Sequence, residues 1–322
     1  MTSTAPEAPF SLARFREGAD LRLGLVAGER IRPLGADELG AADLNAFLAA
    51  PDWDRLGALA KTDGREWMPL ADVTLTAPVQ PRQVLQAGAN YREHVIELVA
   101  AGLTQNTDRT PEEAREFAAK MMDDRAANGE PYFFIGLPAC VVGDDVPLTL
   151  PAYSEVHDWE LELAVVIGRE AFRVSREDAL DHVAGYTIVN DVTTRDLVFR
   201  KDMKEIGTDW YRAKNAPGFL PTGPFLVPAP FVDGGKVGVR LELNGQVMQN
   251  GSTTDLLFDV AALISGASQT MPLLPGDLLL TGSPPGNGQH WKRFLRDGDV
   301  MSGSIEGLGT QVVRCVAEEP AP

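Results

Sequence analysis

Cysteine is nearly missing from this chain. Its 322 residues include two, Cys140 and Cys315, each inside an apolar run, Pro138-Ala139-Cys140-Val141-Val142 and Val312-Val313-Arg314-Cys315-Val316. Neither shows Cys-x-x-Cys spacing or a nearby histidine, which argues against a disulfide framework, a thiolate metal site or a cysteine nucleophile. Both read as buried structural thiols. Histidine is also scarce: a mechanism that needs an imidazole must choose among His94, His157, His182 and His290. Positive charge is in deficit, with 29 Lys and Arg against 46 Asp and Glu and a net charge of −17. With no dense Lys/Arg cluster, the basic stripe that a phosphate backbone requires is absent, so nucleic acid is not an expected partner. No apolar run approaches the roughly 18 residues that cross a bilayer. The start, Met1-Thr2-Ser3-Thr4-Ala5-Pro6, lacks a basic segment followed by an apolar one. A cytoplasmic protein without a membrane partner is expected. Internal repeats, Gly-rich phosphate loops and low-complexity tracts are likewise lacking.

What is present is a hydrophobic content of 44%, ordinary for a chain with a packed core. The first 80 or so residues read as a small separate unit. Alternation over Phe10–Ala27 suggests a hairpin, Ala36–Leu59 is helix-like, and the Pro-punctuated stretch Ala77-Pro78-Val79-Gln80-Pro81 closes the unit. The boundary is placed there, giving residues 1–80 and 81–322. Gln83–Ala87 then reads as a short buried strand and Tyr91–Ala101 as a helix. Thr110-Pro111-Glu112-Glu113 is a helix start, with Thr as cap, Pro at the first helical position and Glu three residues after the cap. Ala114, Phe117, Ala118 and Met121 would share one face. The polar segment 99–130 is either a mobile lid or an ordinary surface helix. From Cys140 onward the pattern turns to strands between Gly/Pro turns: Leu161–Ile167, Ala184–Val189, Pro224–Val227, Val237–Leu243, Asp277–Leu280 and Gln311–Val316. Asn244-Gly245 supplies a two-residue hairpin turn, and short helices fit Arg176–Val183 and Thr254–Ser268. The fold class is therefore α+β and β-rich, without βαβ regularity.

The chemistry concentrates in Glu155-Val156-His157-Asp158-Trp159-Glu160-Leu161-Glu162-Leu163. Strand residues two apart face the same side, so Glu160 and Glu162 would present two carboxylates together. Either that face is solvated, or a cation sits between two like charges beside a core. Asp191 ends the next apolar strand and adds a third carboxylate. Three oxygen ligands without cysteine or an obligatory histidine favour Mg²⁺ or Mn²⁺ over Zn²⁺. His94 and Glu97 lie three apart on a helix face. They form either a general base with its orienting carboxylate or a surface polar pair. His157, His182 and His290 read as structural, with His157 open to a supporting role because it lies three residues before Glu160.

Five segments in order resemble the fumarylacetoacetate hydrolase superfamily. Gly88-Ala89-Asn90-Tyr91-Arg92-Glu93-His94-Val95-Ile96-Glu97 is similar to its G-x-N-Y-x-x-H-x-x-E element. Asp158-Trp159-Glu160-Leu161-Glu162-Leu163-Ala164-Val165-Val166-Ile167-Gly168 is similar to its D-[YW]-E-x-E-L-A-V-V-I-G strand. Gly185–Asp196 resembles G-Y-x-x-x-N-D-V-[ST]-x-R-D, Lys214 with Gly218–Pro224 resembles K-x-x-x-x-F-x-P-x-G-P, and Pro275–Gly286 resembles P-G-D-x-[IL]-x-T-G-T-P-x-G with Ser283 where Thr is usual. The resemblance spans roughly residues 82 to 315, and residues 1–80 resemble the small β-containing domain that precedes the catalytic one in many members.

The resemblance implies a mixed β-sandwich roll, the FAH fold, assembled as a homodimer. It implies that Glu160, Glu162 and Asp191 bind the metal, that His94 with Glu97 activates water, and that Lys214 stabilises an oxyanion or enolate. Tyr91, Arg195, Thr281 and Gly282 would contact substrate. The activity implied is hydrolysis of a C–C bond in a diketo acid, an acylpyruvate or a fumarylacetoacetate-like compound. An oxo-acid decarboxylase, hydratase or isomerase on the same metal is the alternative, and a catalytically silent metal and carboxylate binder is the alternative of another class. One departure concerns substrate: where many members carry Gln shortly after N-D-V-x-x-R-D, this chain has Val198, followed by Phe199-Arg200-Lys201. Arg200 is the expected replacement anchor.

Overall fold

The strand Leu161–Ile167 is buried at every position, as a continuous apolar run in the middle of a sheet should be. It pairs antiparallel with Val183–Asn190 on one side and Leu278–Leu280 on the other. The computed structural model describes residues 3–64 and 66–319. Outward from the central strand, the large sheet continues through Val84–Gly88 to Tyr132–Gly136 on one flank. On the other it runs through Phe225–Pro228, Ser11–Glu17, Asp20–Ala27 and Arg30–Pro33 to Met68–Pro69. A second sheet holds Gln246–Ser252, Gly238–Leu243, Val300–Ile305, Gly309–Ala317 and Leu148–Leu150 in that order. The architecture is strand-rich α+β.

Alternation along the central strand decides which core each side chain joins. Leu161, Leu163, Val165 and Ile167 pack in one cluster with Val239, Leu241, Met301 and Val313 of the second sheet. Ala164 and Val166 pack in another with Leu12, Leu25, Leu48 and Leu56. Glu162 shares the second face but stands at the strand's beginning, where that cluster ends.

The stretch near residue 80 does not separate two cores: Leu12 pairs with Leu226 and Ala13 with Phe225, and both clusters mix side chains from before and after it. Ala36–Leu59 is three short helices, Ala36–Leu39, Leu44–Leu48 and Trp53–Ala60. Gly40 takes a left-handed φ of 72°, and Asp43 and Asp52 each start a new helix by accepting from Ala46 N and Arg55 N at 2.9 and 3.0 Å.

Thr254–Ser268 is also divided, into a turn at Thr253–Asp255 and a helix Val260–Ser268. Asn90 claims the intervening backbone, its carbonyl and side-chain oxygens accepting from Leu257 N and Phe258 N at 2.8 and 2.9 Å. Asp259 then caps the helix. Arg176–Val183 forms only a 3₁₀ turn, Ala179–His182, because the strand begins at Val183.

The capping box at Thr110 is present, its side chain accepting from Glu113 N and Glu113 returning to Thr110 N. It opens the helix Pro111–Asn128, which pairs with Arg92–Asn106. Their shared apolar cluster is Val95, Ile96, Ala118 and Met122, distinct from the two large cores. Phe117 and Met121, expected to share a face with Ala114 and Ala118, are exposed; the i, i+4, i+8 row Ala114, Ala118, Met122 faces inward, and Phe117 lies under the Arg109 guanidinium. The Asn244-Gly245 turn has φ of 53° and 83°, as a tight hairpin with two left-handed residues requires. Among the described residues no helix is long and apolar enough to cross a membrane.

Candidate metal centre

Antiparallel pairing of Leu161 with Asn190 brings the start of one strand beside the end of the other. Asp191 N donates to the Glu160 carbonyl at 2.8 Å, and Glu160 N donates to Asn190 Oδ1 at 2.9 Å. The junction is thus locked by backbone, and Glu160, Glu162 and Asp191 each present a carboxylate oxygen within 4.8 Å of the other two. Glu162 and Asp191 are buried, and Glu160 nearly so. All three donors are hard oxygens, which suits Mg²⁺ or Mn²⁺.

Lys214, on the short helix Trp210–Lys214, is fully buried and puts Nζ between two of these groups. It donates to Glu160 Oε2 at 2.6 Å, to the Asp191 carbonyl at 3.2 Å and to Asp191 Oδ2. Arg195 donates Nη2 to Glu160 Oε1 at 2.7 Å and Nε to Asp158 Oδ2 at 2.6 Å. The charges sort the acids. Burial favours protonation of Glu160, but Arg195 and Lys214 outweigh it and hold this carboxyl below the usual range. Glu162 is pushed well up by burial and then by the charges of Asp191 and Glu160. Asp191 rises to about 6, with burial dominant and Lys214 opposing. Burial would discharge Lys214, yet Asp191 and Glu160 win and raise it, so it stays an ammonium. Two carboxyls that resist ionising together are a site short of positive charge, which a divalent cation would supply.

A ring of residues fixes the acids. Gly282 N donates to Glu162 Oε2 at 2.7 Å, and Gly282 adopts φ 95°, where a side chain would be strained. The fully buried Gln86, with its amide turned to donate, lies 2.6 Å from Asp191 Oδ2 and 2.7 Å from Oδ1. Asp158 accepts from Trp159 N, Gly288 N and Gln289 N at 2.8, 2.5 and 3.1 Å while it anchors Arg195. His157 Nε2 donates to the Pro151 carbonyl at 2.9 Å, and its Nδ1 lies 2.9 Å from Thr194 Oγ1. Thr193, next in the chain, reaches Glu160 Oε2 at 3.4 Å. Sequence reasoning did not single out Gln86 or Asp158 as site residues. For Gln86 the signal was available: one amide inside the apolar strand Val84–Gly88.

Other expected site residues divide. His94 sits half-buried on the helix Arg92–Asn106, and its imidazole is held below the ordinary histidine value, by burial first, with Glu160 opposing and Arg195 and His290 assisting. Glu97 does not pair with it among the described hydrogen bonds; its Oε2 lies 3.5 Å from His290 Nδ1 instead. The dyad read from i, i+3 spacing is therefore open in this conformation, because a second histidine on the Gly288–Trp291 turn competes for the carboxylate. Tyr91 is buried with its hydroxyl unpartnered, and burial followed by the charges of Glu162 and Asp255 raises its pKa. Thr281 spends its hydroxyl on the Leu163 carbonyl at 3.0 Å, so it shapes the wall through backbone. Arg200 is turned to Asp202 and to Asp209 at 2.8 Å. Among the described residues it makes no ion pair with the three carboxylates, and Val198 is buried.

Residues 83–316 match the family described as Fumarylacetoacetate (FAA) hydrolase C-terminal. The chain belongs to the fumarylacetoacetate hydrolase family. Oxaloacetate tautomerase fahd2, mitochondrial, from Xenopus laevis is 36% identical over 243 residues, 74% of this chain and 67% of that protein. A 2,4-didehydro-3-deoxy-L-rhamnonate hydrolase from Sphingomonas sp. is 42% identical over 186 residues, 56% of this chain and 64% of that protein. The solved maleylpyruvate hydrolase from Sphingobium sp. SYK-6, in complex with manganese (II) ion and pyruvate, superposes with a TM-score of 0.71 at 26% identity, covering 96% of this chain and 100% of that one. The FAH family thus contains both hydrolases and a tautomerase among the proteins this chain resembles, and its fold is the strand-rich one described above.

Proposed function

We propose that this chain is a Mg²⁺- or Mn²⁺-dependent enzyme that hydrolyses a C–C bond in a diketo acid. The observation that carries the reading is the cluster of Glu160, Glu162 and Asp191 within 4.8 Å, flanked by the buried Lys214 ammonium and the Arg195 guanidinium. These three carboxylates would hold the ion. A bound divalent ion supplies a positive site that a 2-oxo acid can chelate and an electron sink beside the bond to be broken.

The chain's own groups account for the rest. Neutral His94, kept neutral by burial, takes a proton from water as its hydroxyl adds to the distal acyl carbonyl. The C–C bond then breaks, its electron pair stays with the methylene carbon, and protonation there yields a 2-oxo acid beside the released carboxylic acid. Lys214 stands where it can offset negative charge as it develops, an effect that usually dominates such catalysis. Arg195, held by Asp158, keeps Glu160 ionised and oriented.

A second reading, keto–enol tautomerisation of a 2-oxo diacid, is favoured by the Glu97–His290 contact at 3.5 Å, which leaves His94 as a lone base able to shuttle a proton without activating water. One assay separates the two. Acetylpyruvate, fumarylpyruvate, a 2,4-dioxo sugar acid and oxaloacetate are each offered with Mg²⁺, Mn²⁺ or excess EDTA. Metal-dependent release of a carboxylic acid from a diketone is the expected result. Enol-to-keto conversion of oxaloacetate with no diketone cleavage would replace hydrolysis by tautomerisation, and full activity in EDTA would overturn both.

A further inference from the structure

At the opposite end of the central strand from the carboxylates, a cavity of about 430 Å³ opens between the Ser11–Ala27 hairpin and the short helices Ala36–Leu39 and Leu44–Leu48. Its walls include Arg14, Arg82, Leu21, Leu23 and Leu34. Arg14 projects from the hairpin face that carries Leu12 and lies directly across from Leu23, so its guanidinium stands at the rim of an apolar core. Among the described residues neither Arg14 nor Arg82 has an ion pair or a side-chain hydrogen bond. Asp43, also on the wall, caps a helix by accepting from Ala46 N at 2.9 Å. Burial pulls Arg14 below the usual arginine value, and no nearby carboxylate counters it.

The contrast with Arg32, two strands away, is informative. That guanidinium is buried in the same sheet and is met by Glu38 and by Glu66 at 3.3 Å. In a chain with 46 acidic residues, a half-buried arginine with no ion pair among the described residues is a charge awaiting a counter-ion, since desolvated guanidinium is costly unless paired. The adjoining leucines include Leu21, which is 41% exposed.

We propose that this cavity binds a carboxylate bearing a short apolar chain, with Arg14 on the anionic head, Arg82 assisting and Leu21, Leu23 and Leu34 along the chain. The site is remote from the metal centre. Glu162 and Ile167 stand at opposite ends of one strand, on the order of 15 Å apart at the usual strand rise, and Ile167 N donates to the carbonyl of Asp277, whose side chain holds Arg82 N at 3.2 Å. The ligand is therefore an effector or a carried acid distinct from the substrate, and the inference does not depend on which reaction the metal centre performs.

The test is isothermal titration of the full chain with hexanoate, hexanol and inorganic phosphate, with the metal centre saturated by Mg²⁺ and oxalate so that hexanoate cannot report on it. Hexanoate should bind once per chain, hexanol about tenfold more weakly, and phosphate more weakly as well, because the head needs charge and the chain needs the leucine wall. Arg14→Gln should weaken hexanoate about tenfold and leave hexanol unchanged, and Arg82→Gln, at an exposed side chain, about threefold. Circular dichroism would check that both variants keep the fold. Hexanoate binding that is unaltered by both substitutions, equal affinity for hexanol or phosphate, or no heat up to about 10 mM hexanoate would each overturn the proposal.

Discussion

Glu97 Oε2 lies 3.5 Å from Nδ1 of His290, and the histidine that shares its helix, His94, makes no hydrogen bond with it among the described residues. The carboxylate thus meets His290 rather than His94, and hydrolysis through a His94–Glu97 pair requires it to change partners. His290 and Glu97 are 46% and 36% exposed, so their contact is worth at most about 1 kcal/mol. His290→Ala should therefore leave the fold intact and raise kcat for diketone cleavage by no more than about fivefold, whereas Glu97→Gln should lower it. Steady-state kinetics on both variants decide the point: a collapse of activity in His290→Ala would make His290, not His94, the partner that matters.

Lys214 carries a second expectation. Its ammonium is buried between Glu160 and Asp191, so Lys214→Met leaves the buried Asp191 without its cation and Glu160 with Arg195 alone. Removing one member of such a cluster costs about 3–5 kcal/mol. The metal-free variant should melt well below the wild type, Mn²⁺ should restore more of the loss than it adds to the wild type, and kcat should still fall about a hundredfold. Thermal melts with and without Mn²⁺ read the first two effects. A variant that melts like the parent without metal would mean that the ammonium contributes little to the resting site.

Gln86 offers a cleaner probe of the acids, because it touches Asp191 without being a candidate ligand. Gln86→Leu keeps the volume and removes both hydrogen bonds. Losses of about 10- to 100-fold in metal affinity are usual when such an outer partner goes. Titration of the variant with Mn²⁺, followed by electron paramagnetic resonance of the free ion, should show weakening in that range; unchanged affinity would reduce Gln86 to a packing residue.

Much of this site was legible because its chemistry is local in sequence. Period-two spacing aligned Glu160 with Glu162, and the end of an apolar run marked Asp191. Strand spans, the Thr110 cap and the Asn244-Gly245 turn were legible for the same reason. What was not legible depends on contacts across the chain. Nothing near Glu97 announces that His290 will reach it, and nothing near Arg200 shows that Asp202 and Asp209 will occupy it. Helix Thr254–Ser268 failed as a single element because Asn90, far away in sequence, takes its backbone donors.

The pH dependence follows from His94. Folding favours its neutral form, with burial as the main cause, so its pKa in the folded chain lies below the unfolded value of 6.5. Below 6.5 the unfolded chain binds more protons, and the stabilising contribution, fully present above that pH, is lost as pH falls through the folded value. If His94 is the base, the acid limb of kcat/KM should have its midpoint under 6.5 and disappear as a distinct limb in His94→Gln. An imidazole NMR titration assigns the group directly, and an acid limb that persists unchanged in His94→Gln would remove His94 from that role.

The last expectation concerns residues 1–80, which the sequence presents as a separate unit and the structure knits into the sheet. Ser11–Glu17 pairs with Phe225–Pro228, and Leu12, Leu25, Leu48 and Leu56 cover the face of the central strand that carries Ala164 and Val166. Deleting the first 80 residues would expose that face and strip Leu226, Leu278 and Leu280 of their packing against Leu12, Leu25, Leu48 and Leu56. Each large apolar side chain buried there contributes about 1.5–3 kcal/mol, so losing several exceeds the roughly 5–15 kcal/mol by which a protein is stable. A chain of residues 81–322 should therefore fail to fold cooperatively, while the full chain should unfold in one calorimetric transition. A truncated chain that stays soluble, melts cooperatively and binds Mn²⁺ would show the reverse, that the boundary near residue 80 divides two independently stable units.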